Sequence, residues 1–250
     1  MKKIAIVTGG ASGIGRAIVE HLASNGYFVA LFDMNRKAAD EVRQSVASQG
    51  GEVGTLIGDL VDYAAAAELV ERVVSTHGIP WLLVNNVGGD ATAPFLQTAP
   101  TDWQTAIDRN LVSALNMHHL VLPHMVKAGS GRVVNISSDS ARGGVPNVAV
   151  YAGCKGAIIA FTKCIAKEMA PHDILVNALC PGITATPAIR TVIAADKHGQ
   201  SWVDSIVKQI PLGRMAVPED VAPLVAFLAG PGGAYITGQT ISVNGGKTMV

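Results

Sequence analysis

The sequence TGGASGIG, residues 8–15, places four glycines directly after the apolar segment 4–7. Because glycine costs backbone entropy wherever it lies, this density indicates that something approaches the backbone closely. The segment before the glycines is short and β-branched, as is typical of a buried strand. Apolar residues then recur at the spacing of an α-helix, at Ile14, Ala17, Ile18, Leu22 and Ala23. The sequence therefore predicts a strand, a glycine turn and the start of a helix.

A turn of this kind is suited to binding a diphosphate. The first backbone N–H groups of a helix are unpaired and its dipole is positive there, and glycines let a phosphate come close. The spacing Gly9-xxx-Gly13-x-Gly15 differs from the GxGxxG of larger dinucleotide-binding dehydrogenases. From this pattern alone, a phosphate site and an ordinary tight turn remain equally open.

Asp33 follows the next apolar segment, 28–32, and lies 18 residues after Gly15. In dinucleotide-binding units, an acidic residue about 20 residues after the glycines accepts hydrogen bonds from the adenosine ribose. A carboxylate there would repel a 2′-phosphate, so the sequence favours NAD over NADP. Two alternatives stay open: Asp33 is only a turn residue, or Arg36 offers a charge to that phosphate.

The composition argues against nucleic-acid and membrane partners. Of the 250 residues, 49% are hydrophobic and 15% charged, and 19 basic side chains balance 19 acidic ones. A chain without net charge has no general attraction to polyanions. The apolar runs at 156–161 and 221–229 are shorter than the roughly 18 residues of a membrane span. The run at 4–7 is shorter than the ~7 to 15 residues of a signal-peptide core.

The cysteines and histidines indicate a reduced, metal-free protein. The three cysteines, Cys154, Cys164 and Cys180, are odd in number and lie in apolar segments, which fits a cytoplasmic location. There is no CxxC or HExxH motif. We therefore expect no metal site.

Predicted strands and helices alternate from end to end, which indicates one α/β domain over residues 1–250, with a doubly wound parallel sheet and helices on both faces. The predicted strands cover 3–8, 27–32, 52–58, 81–85, 132–136, 174–179 and 240–243. The long segment 186–211 interrupts this alternation. We predict a substrate lid there, with a packed surface pair of helices as the alternative.

Tyr151 and Lys155 are four residues apart on a predicted helix, so both side chains lie on one face. A nearby ammonium stabilises a phenolate and lowers the pKa of a tyrosine, which makes the pair a usable general base. A Tyr-xxx-Lys pair also occurs by chance on many helix surfaces. Ser137 and Ser138 follow a predicted central strand, at the edge where ligands of open α/β sheets bind.

Together these motifs resemble the short-chain dehydrogenase/reductase family over essentially the whole chain. The matching residues are Thr8-Gly9-xxx-Gly13-x-Gly15, Asp59-Leu60, Asn85-Asn86-Val87-Gly88, Asn110, Ser138, Tyr151-xxx-Lys155 and Pro181-Gly182 with Thr186. The chain departs from the family at Val87, where alanine is usual, so extra methyl groups are expected beside the cofactor.

The resemblance implies a Rossmann-type sheet of about seven strands, a nicotinamide cofactor and a homotetramer. It implies catalysis by Asn110, Ser138, Tyr151 and Lys155. It implies cofactor contacts from Gly9, Ser12, Gly13, Ile14, Gly15, Asp33, Asp59, Leu60, Asn86, Gly88, Tyr151, Lys155, Ile183 and Thr186. In these roles Tyr151 exchanges a proton with the substrate, Ser138 binds the substrate oxygen, and Lys155 holds the nicotinamide ribose.

The expected reaction is NAD(H)-dependent interconversion of a secondary alcohol and a ketone. A 3-oxoacyl-thioester reductase or hydroxyacyl-CoA dehydrogenase is the alternative, and a non-catalytic NAD-binding redox sensor is a third. The segments 90–96 and 139–147 and the lid are expected to form the substrate pocket. Cations near its rim could bind the phosphates of a CoA ester or be ordinary solvated charges; they are Arg142, Arg190, Lys197, Lys208 and Arg214.

Overall fold

A computed structural model describes residues 2–89, 92–195 and 199–250. Its sheet has seven parallel strands in the order β3-β2-β1-β4-β5-β6-β7. The strands are β1 Ile4–Thr8, β2 Phe28–Asp33, β3 Glu52–Ile57, β4 Leu82–Asn85, β5 Gly131–Ile136, β6 Ile174–Pro181 and β7 Thr240–Val243. Seven parallel strands confirm the predicted α/β fold, and each predicted strand lies within two residues of an observed one.

Helices cover both faces of the sheet. They are α1 Gly13–Ser24, α2 Arg36–Ser48, α3 Tyr63–His77, α4 Pro100–Ile107, α5 Ser113–Ala128, α6 Ser140–Gly143, α7 Ala149–Met169, α8 Pro187–Ala195, α9 Gly199–Val207 and α10 Ala222–Ala229. One apolar cluster joins the sheet to α1, α2 and α10, and a second joins the other face to α3, α5 and α7. Because both faces are buried, the central strands read as continuous apolar runs.

The order of the strands determines where a ligand binds. From β1 the chain moves outward to β3, and it then returns to place β4 on the other side of β1. A crevice opens at the carboxyl ends of strands where the winding reverses in this way. The glycine turn after β1 and the segment after β4 therefore meet at one edge of the sheet.

In the segment 186–211, predicted as a lid, the described residues form the helices α8 and α9, which pack against each other, and residues 196–198 lie outside the described residues. Within α9, Val203 is buried, whereas the side chain of Trp202 is 41% exposed. The segment follows β6, so it lies near the carboxyl edge of the sheet. Its arrangement is the helical pair named as the alternative, and its role as a lid stays a prediction.

Among the described residues, the helical stretch Ala149–His172 is long and apolar enough to cross a membrane by length and composition alone. Most of it is α7, which packs against β6 and buries Cys154, Lys155 and Ile158. Core helices of globular proteins pass the same test, so this is weak evidence for a membrane span.

Candidate active site

The glycine turn leads from β1 into α1 and leaves its backbone accessible. Gly9 and Gly13 have φ of 61° and 52°, in the left-handed region that favours glycine. A Cβ on Gly15 would collide with the carbonyl oxygen of Gly9. Ser12 is the N-cap of α1, but its hydroxyl makes no capping hydrogen bond to that helix. The N-terminus of α1, with Ile14 in its first turn, is therefore shaped like an anion site.

Asp33 ends β2 beside this turn. One carboxylate oxygen accepts a hydrogen bond from the backbone N–H of Ala11 at 3.0 Å, and the other accepts from Asn35 N–H at 2.9 Å. The first bond fixes the carboxylate against the glycine turn itself. The acidic group therefore lies where an adenosine ribose would meet a bound diphosphate.

The segment after β4 is bonded to the same turn. The amide of Asn86 donates to the carbonyl oxygens of Thr8 and Gly9, at 3.0 and 3.1 Å. The buried hydroxyl of Thr8 accepts from the N–H groups of Asn86 and Val87, at 2.9 and 3.2 Å. Val87 packs against the second apolar cluster. These bonds keep the two sides of the crevice at a set separation.

Asn110 lies in a π-helical turn, Asp108–Val112, between α4 and α5. Its amide donates to the carbonyl oxygens of Gly89 and Ala106, at 2.8 and 2.9 Å, and its oxygen accepts from Gly89 N–H at 3.1 Å. The extra residue of a π-turn re-aims a helix locally, and such turns are frequent at functional sites. Asn110 thus braces the segment after β4.

Lys155 supplies a buried cation to the site. Its side chain is buried, and Nζ donates to the carbonyl oxygen of Ile136 at 3.0 Å and to that of Val87 at 3.5 Å. Burial lowers the pKa of this ammonium to about 8. Nζ lies 5.8 Å from the centre of the half-buried Tyr151 ring, on the same face of α7. The spacing of four residues therefore does bring the two groups together.

The two serines after β5 have different surroundings. Ser137 is buried, and its hydroxyl donates to the carbonyl oxygen of Lys155 at 2.8 Å. Ser138 is half-buried, and its hydroxyl lies 2.8 Å from that of Ser140. Ser137 therefore anchors the backbone of α7, whereas the hydroxyl of Ser138 is accessible to a ligand.

Comparisons with known proteins agree with this geometry. A family model described as enoyl-(acyl carrier protein) reductase matches residues 9–248. The 3-oxoacyl-(acyl-carrier-protein) reductase of Chlamydia pneumoniae is 38% identical over 247 residues, covering 99% of this chain and 97% of that protein. The chain belongs to the short-chain dehydrogenase/reductase family. It is therefore an oxidoreductase of the class that works with a nicotinamide cofactor.

Two further relatives show how widely the family's reactions vary. The 2,3-dihydroxy-2,3-dihydro-p-cumate dehydrogenase of Pseudomonas putida is 36% identical over 250 residues, covering 99% of this chain and 95% of that protein. The crystal structure of a tryptophan variant of actinorhodin polyketide ketoreductase with NADPH has a TM-score of 0.94 and 31% identity, covering 98% of this chain and 97% of that chain.

The remaining residues predicted from the family lie around the same edge. Thr186 packs its side chain against Gly13, and Ile183 is held through its carbonyl oxygen by Ala216 N–H at 3.0 Å. Asp59 and the buried Leu60 follow β3, where the Asp59 carboxylate accepts from Val61 N–H at 2.9 Å. These positions are compatible with the predicted cofactor contacts, which stay predictions.

Some residues that shape the short-chain dehydrogenase/reductase site were not found from the sequence. Asn116, on α5, donates to the carbonyl oxygens of Leu60 and Val61 at 2.9 and 3.0 Å and so fixes the segment after β3. Asn244 and Thr248, in the C-terminal segment, donate to the buried carboxylate of Asp139 at 2.7 and 2.9 Å. An asparagine or threonine carries no local signal for a contact so far along the chain.

The structure gives protein partners to some residues expected at the substrate pocket and its rim. The Asp139 carboxylate accepts hydrogen bonds from the C-terminal segment, and the pocket formed by 139–147 stays a prediction. Arg142 donates to the carbonyl of Thr240 and the hydroxyl of Ser242, and Arg214 forms a two-bond ion pair with Asp220. These two cations already have protein partners, and contact of either with CoA phosphates stays a prediction. Asp90 and Lys197, also named for the pocket and its rim, lie outside the described residues.

Proposed function

We propose that the protein interconverts a secondary alcohol and a ketone with NAD(H), using Tyr151 as general acid and base. The observation that carries this proposal is the buried ammonium of Lys155 on the same helix face as the Tyr151 ring. An ammonium next to a phenol favours the phenolate, and buried groups with shifted pKa values cluster at functional sites. Ser138 and Asn110 lie around the same carboxyl edge.

A nicotinamide cofactor fits the residues present. The exposed Gly88 has no side chain, and a Cβ there would lie 2.8 Å from both Asn110 Oδ1 and Lys155 Nζ. The glycine therefore lets Asn110 and Lys155 approach the segment after β4 closely. The N-terminus of α1 would accept the diphosphate, and Lys155 would meet the nicotinamide ribose. When bound, the cofactor supplies hydride transfer at its nicotinamide ring.

The protein side chains then handle the proton and the substrate oxygen. During oxidation, Tyr151 takes the proton of the substrate hydroxyl as its carbon loses hydride, and during reduction it returns that proton to the oxygen. Ser138 donates a hydrogen bond to the same oxygen. Lys155 keeps the phenol acidic and binds ribose hydroxyls. Asn110 holds the segment after β4 and positions a water for proton relay.

We propose NAD as the preferred coenzyme, because the Asp33 carboxylate lies against the glycine turn. Its lone pairs can accept from ribose hydroxyls, and its charge opposes a 2′-phosphate. The related ketoreductase was crystallised with NADPH, so the proposal of NAD for this chain rests on Asp33 and not on the relatives.

For the substrate, a small alcohol or ketone is the main proposal, and a 3-oxoacyl or hydroxyacyl thioester is the second. The relative from Chlamydia pneumoniae, named for an acyl-carrier-protein substrate, favours the second, and the dihydrodiol dehydrogenase favours the first. Arg190 and Lys208 are exposed near the rim and could meet phosphates. A non-catalytic redox sensor would not require Ser138, Tyr151 and Lys155 at one edge.

We also propose one domain over residues 1–250, with 186–211 as its lid, and assembly into a homotetramer. The side chains of Met249 and Val250 are 78% and 77% exposed, as expected of apolar groups that a second subunit would cover. Sedimentation at working concentration tests this assembly, and a monomer there would contradict it.

The decisive experiment is a panel of secondary alcohols, ketones and acyl thioesters, each assayed with NAD(H) and with NADP(H). We expect turnover with NAD(H) on at least one alcohol and ketone pair. Equal rates for a free ketone and its CoA thioester would argue against thioester recognition. Binding of NADH without turnover of any compound in the panel would instead support the non-catalytic redox sensor.

A further inference from the structure

Ser140 makes two contacts with the proposed catalytic Ser138. Its backbone N–H donates to Ser138 Oγ at 3.2 Å, and its hydroxyl lies 2.8 Å from the same atom. Ser140 is the first residue of α6 and is 8% exposed. The Ser140 hydroxyl is therefore close enough to control where the hydrogen of Ser138 points.

A serine hydroxyl has one hydrogen and two lone pairs. Because a backbone N–H can only donate, the Ser140 N–H occupies one lone pair of Ser138 Oγ. If the Ser140 hydroxyl donates to the second, the hydrogen of Ser138 is left to point at a ligand. If Ser138 donates to Ser140 instead, its only hydrogen is consumed and the substrate oxygen receives none.

We propose that Ser140 is a positioning residue that makes Ser138 a hydrogen-bond donor toward the substrate oxygen. This role rests on the proposed function of Ser138. In this role Ser140 acts through its neighbour and needs no contact of its own with substrate or cofactor. The interaction differs from that of Ser137, whose hydroxyl is directed to the carbonyl of Lys155.

The backbone around Ser140 is held firmly enough for this role. The N–H of Asp139 donates to the carbonyl oxygen of Pro181 at 3.0 Å. The Asp139 carboxylate accepts from Asn244 and from Thr248, which anchors the turn to the C-terminal segment. A contact between two serine hydroxyls can set a direction only when both backbones are fixed, and these bonds fix them.

The test is a double-mutant cycle with Ser140→Ala, Ser138→Ala and the double variant, assayed on the best ketone of the panel with NADH. We expect Ser140→Ala to lower kcat about 5- to 10-fold, the effect of one lost hydrogen bond, with KM nearly unchanged. In the Ser138→Ala background the same change should cost nothing further. Such non-additivity is the signature of two residues that act as a unit.

Further variants separate positioning from folding. Ser140→Thr keeps the hydroxyl and should restore most of kcat, and Ser140→Cys keeps the shape with a weaker donor and should give an intermediate value. Ser75→Ala, an exposed serine of α3 far from the site, is the matched control and should leave kcat unchanged. Melting temperature and NADH affinity should be the same in the wild type and in the variants Ser140→Ala, Ser140→Thr, Ser140→Cys and Ser75→Ala.

The outcomes distinguish this role from the proposed function. If Ser138→Ala retains full activity, the proposed function of Ser138 is wrong. If Ser138→Ala is impaired but Ser140→Ala is fully active, only the role of Ser140 is wrong. Equal fold losses from Ser140→Ala in the two backgrounds would likewise overturn it, because the effect would then not pass through Ser138.

Discussion

Two buried polar groups on neighbouring helices differ in the charge they carry. Lys155, on α7, keeps its ammonium against the carbonyls of Ile136 and Val87. His118, on α5, lies among Asn85, Asn135 and Thr162, residues that we call the interior cluster. Burial lowers the pKa of Lys155 to about 8 and that of His118 to about 4. Near pH 7 the lysine stays mostly charged, whereas the histidine is neutral.

The same physical effect therefore gives two functions, because the side chains begin from different pKa values. Because lysine starts from a high pKa, Lys155 stays mostly protonated after burial and can act as a cation beside Tyr151. The interior cluster is neutral, and its hydrogen bonds run from Asn85 to Asn135 and from Asn135 to Thr162, both at 2.9 Å. His118 donates from Nδ1 to the carbonyl of Ala114 at 2.7 Å, the tautomer that this distance requires. We infer that this cluster holds the helices in register and takes no part in chemistry.

The largest effect should come from removing the Tyr151 hydroxyl, whose acidity depends on the Lys155 ammonium. Tyr151→Phe should lower kcat by ~10²- to 10⁴-fold, the range of general acid and base catalysis, while NADH still binds. Lys155→Ala should lower kcat and also weaken NADH binding, since the same ammonium lowers the pKa of Tyr151 and binds the cofactor ribose. Steady-state kinetics and fluorescence titration with NADH measure the two effects separately. An active Phe variant would remove Tyr151 from the mechanism.

The second prediction concerns His118, the buried group that is neutral near pH 7. Folding favours uncharged His118, so its contribution to stability is complete above the unfolded pKa of 6.5 and is lost as pH falls toward about 4. The full loss is about 3 kcal/mol, at about 1.4 kcal/mol for each unit of pKa. Urea unfolding at pH 7.5 and pH 4.5 measures the part of this loss that occurs above pH 4.5.

His118→Leu should flatten this acid dependence, even if it lowers stability at pH 7.5 by removing the hydrogen bond to the Ala114 carbonyl. His119→Leu is the matched control, because His119 is the adjacent residue but is exposed and bonded to Tyr63. Its acid dependence should equal that of the wild type. An unchanged slope in His118→Leu would mean that other groups carry the acid sensitivity.

The comparison also explains which features could be predicted from the sequence. Tyr151 and Lys155 were recognisable because their contact is local, one helical turn apart. The strands were recognisable because burial on both faces leaves continuous apolar runs. The interior cluster and the bond from Asp139 to Asn244 join residues far apart in the chain, and neither side of such a contact has a distinctive spacing. The partners of Arg142 and Arg214 could not be predicted either, because a sequence shows a charge but not the groups that it contacts.

The third prediction concerns a charge that is neither buried like Lys155 nor neutral like His118. Asp33 is half-buried, and solvent screens it, so its effect on coenzyme choice should be smaller than the loss of Tyr151. Wild type should have a higher kcat/KM with NAD than with NADP. The reason is that the carboxylate accepts from ribose hydroxyls and repels a 2′-phosphate.

Asp33→Ala should reduce the ratio of kcat/KM with NAD to kcat/KM with NADP about 10-fold, because it weakens the binding of NAD and removes the repulsion of the NADP 2′-phosphate. It also removes the acceptor for the Ala11 and Asn35 N–H groups, so part of the loss with NAD would come from a looser glycine turn. Asp33→Asn separates the two causes, because its amide oxygen can still accept from one of these N–H groups while the charge is gone. If charge repulsion determines coenzyme choice, kcat/KM with NADP should rise in both variants. If Asp33 only stabilises the turn, kcat/KM with NADP should rise in neither. Measurements at one ionic strength are required, and a wild-type preference for NADP would mean that Asp33 is only a turn residue.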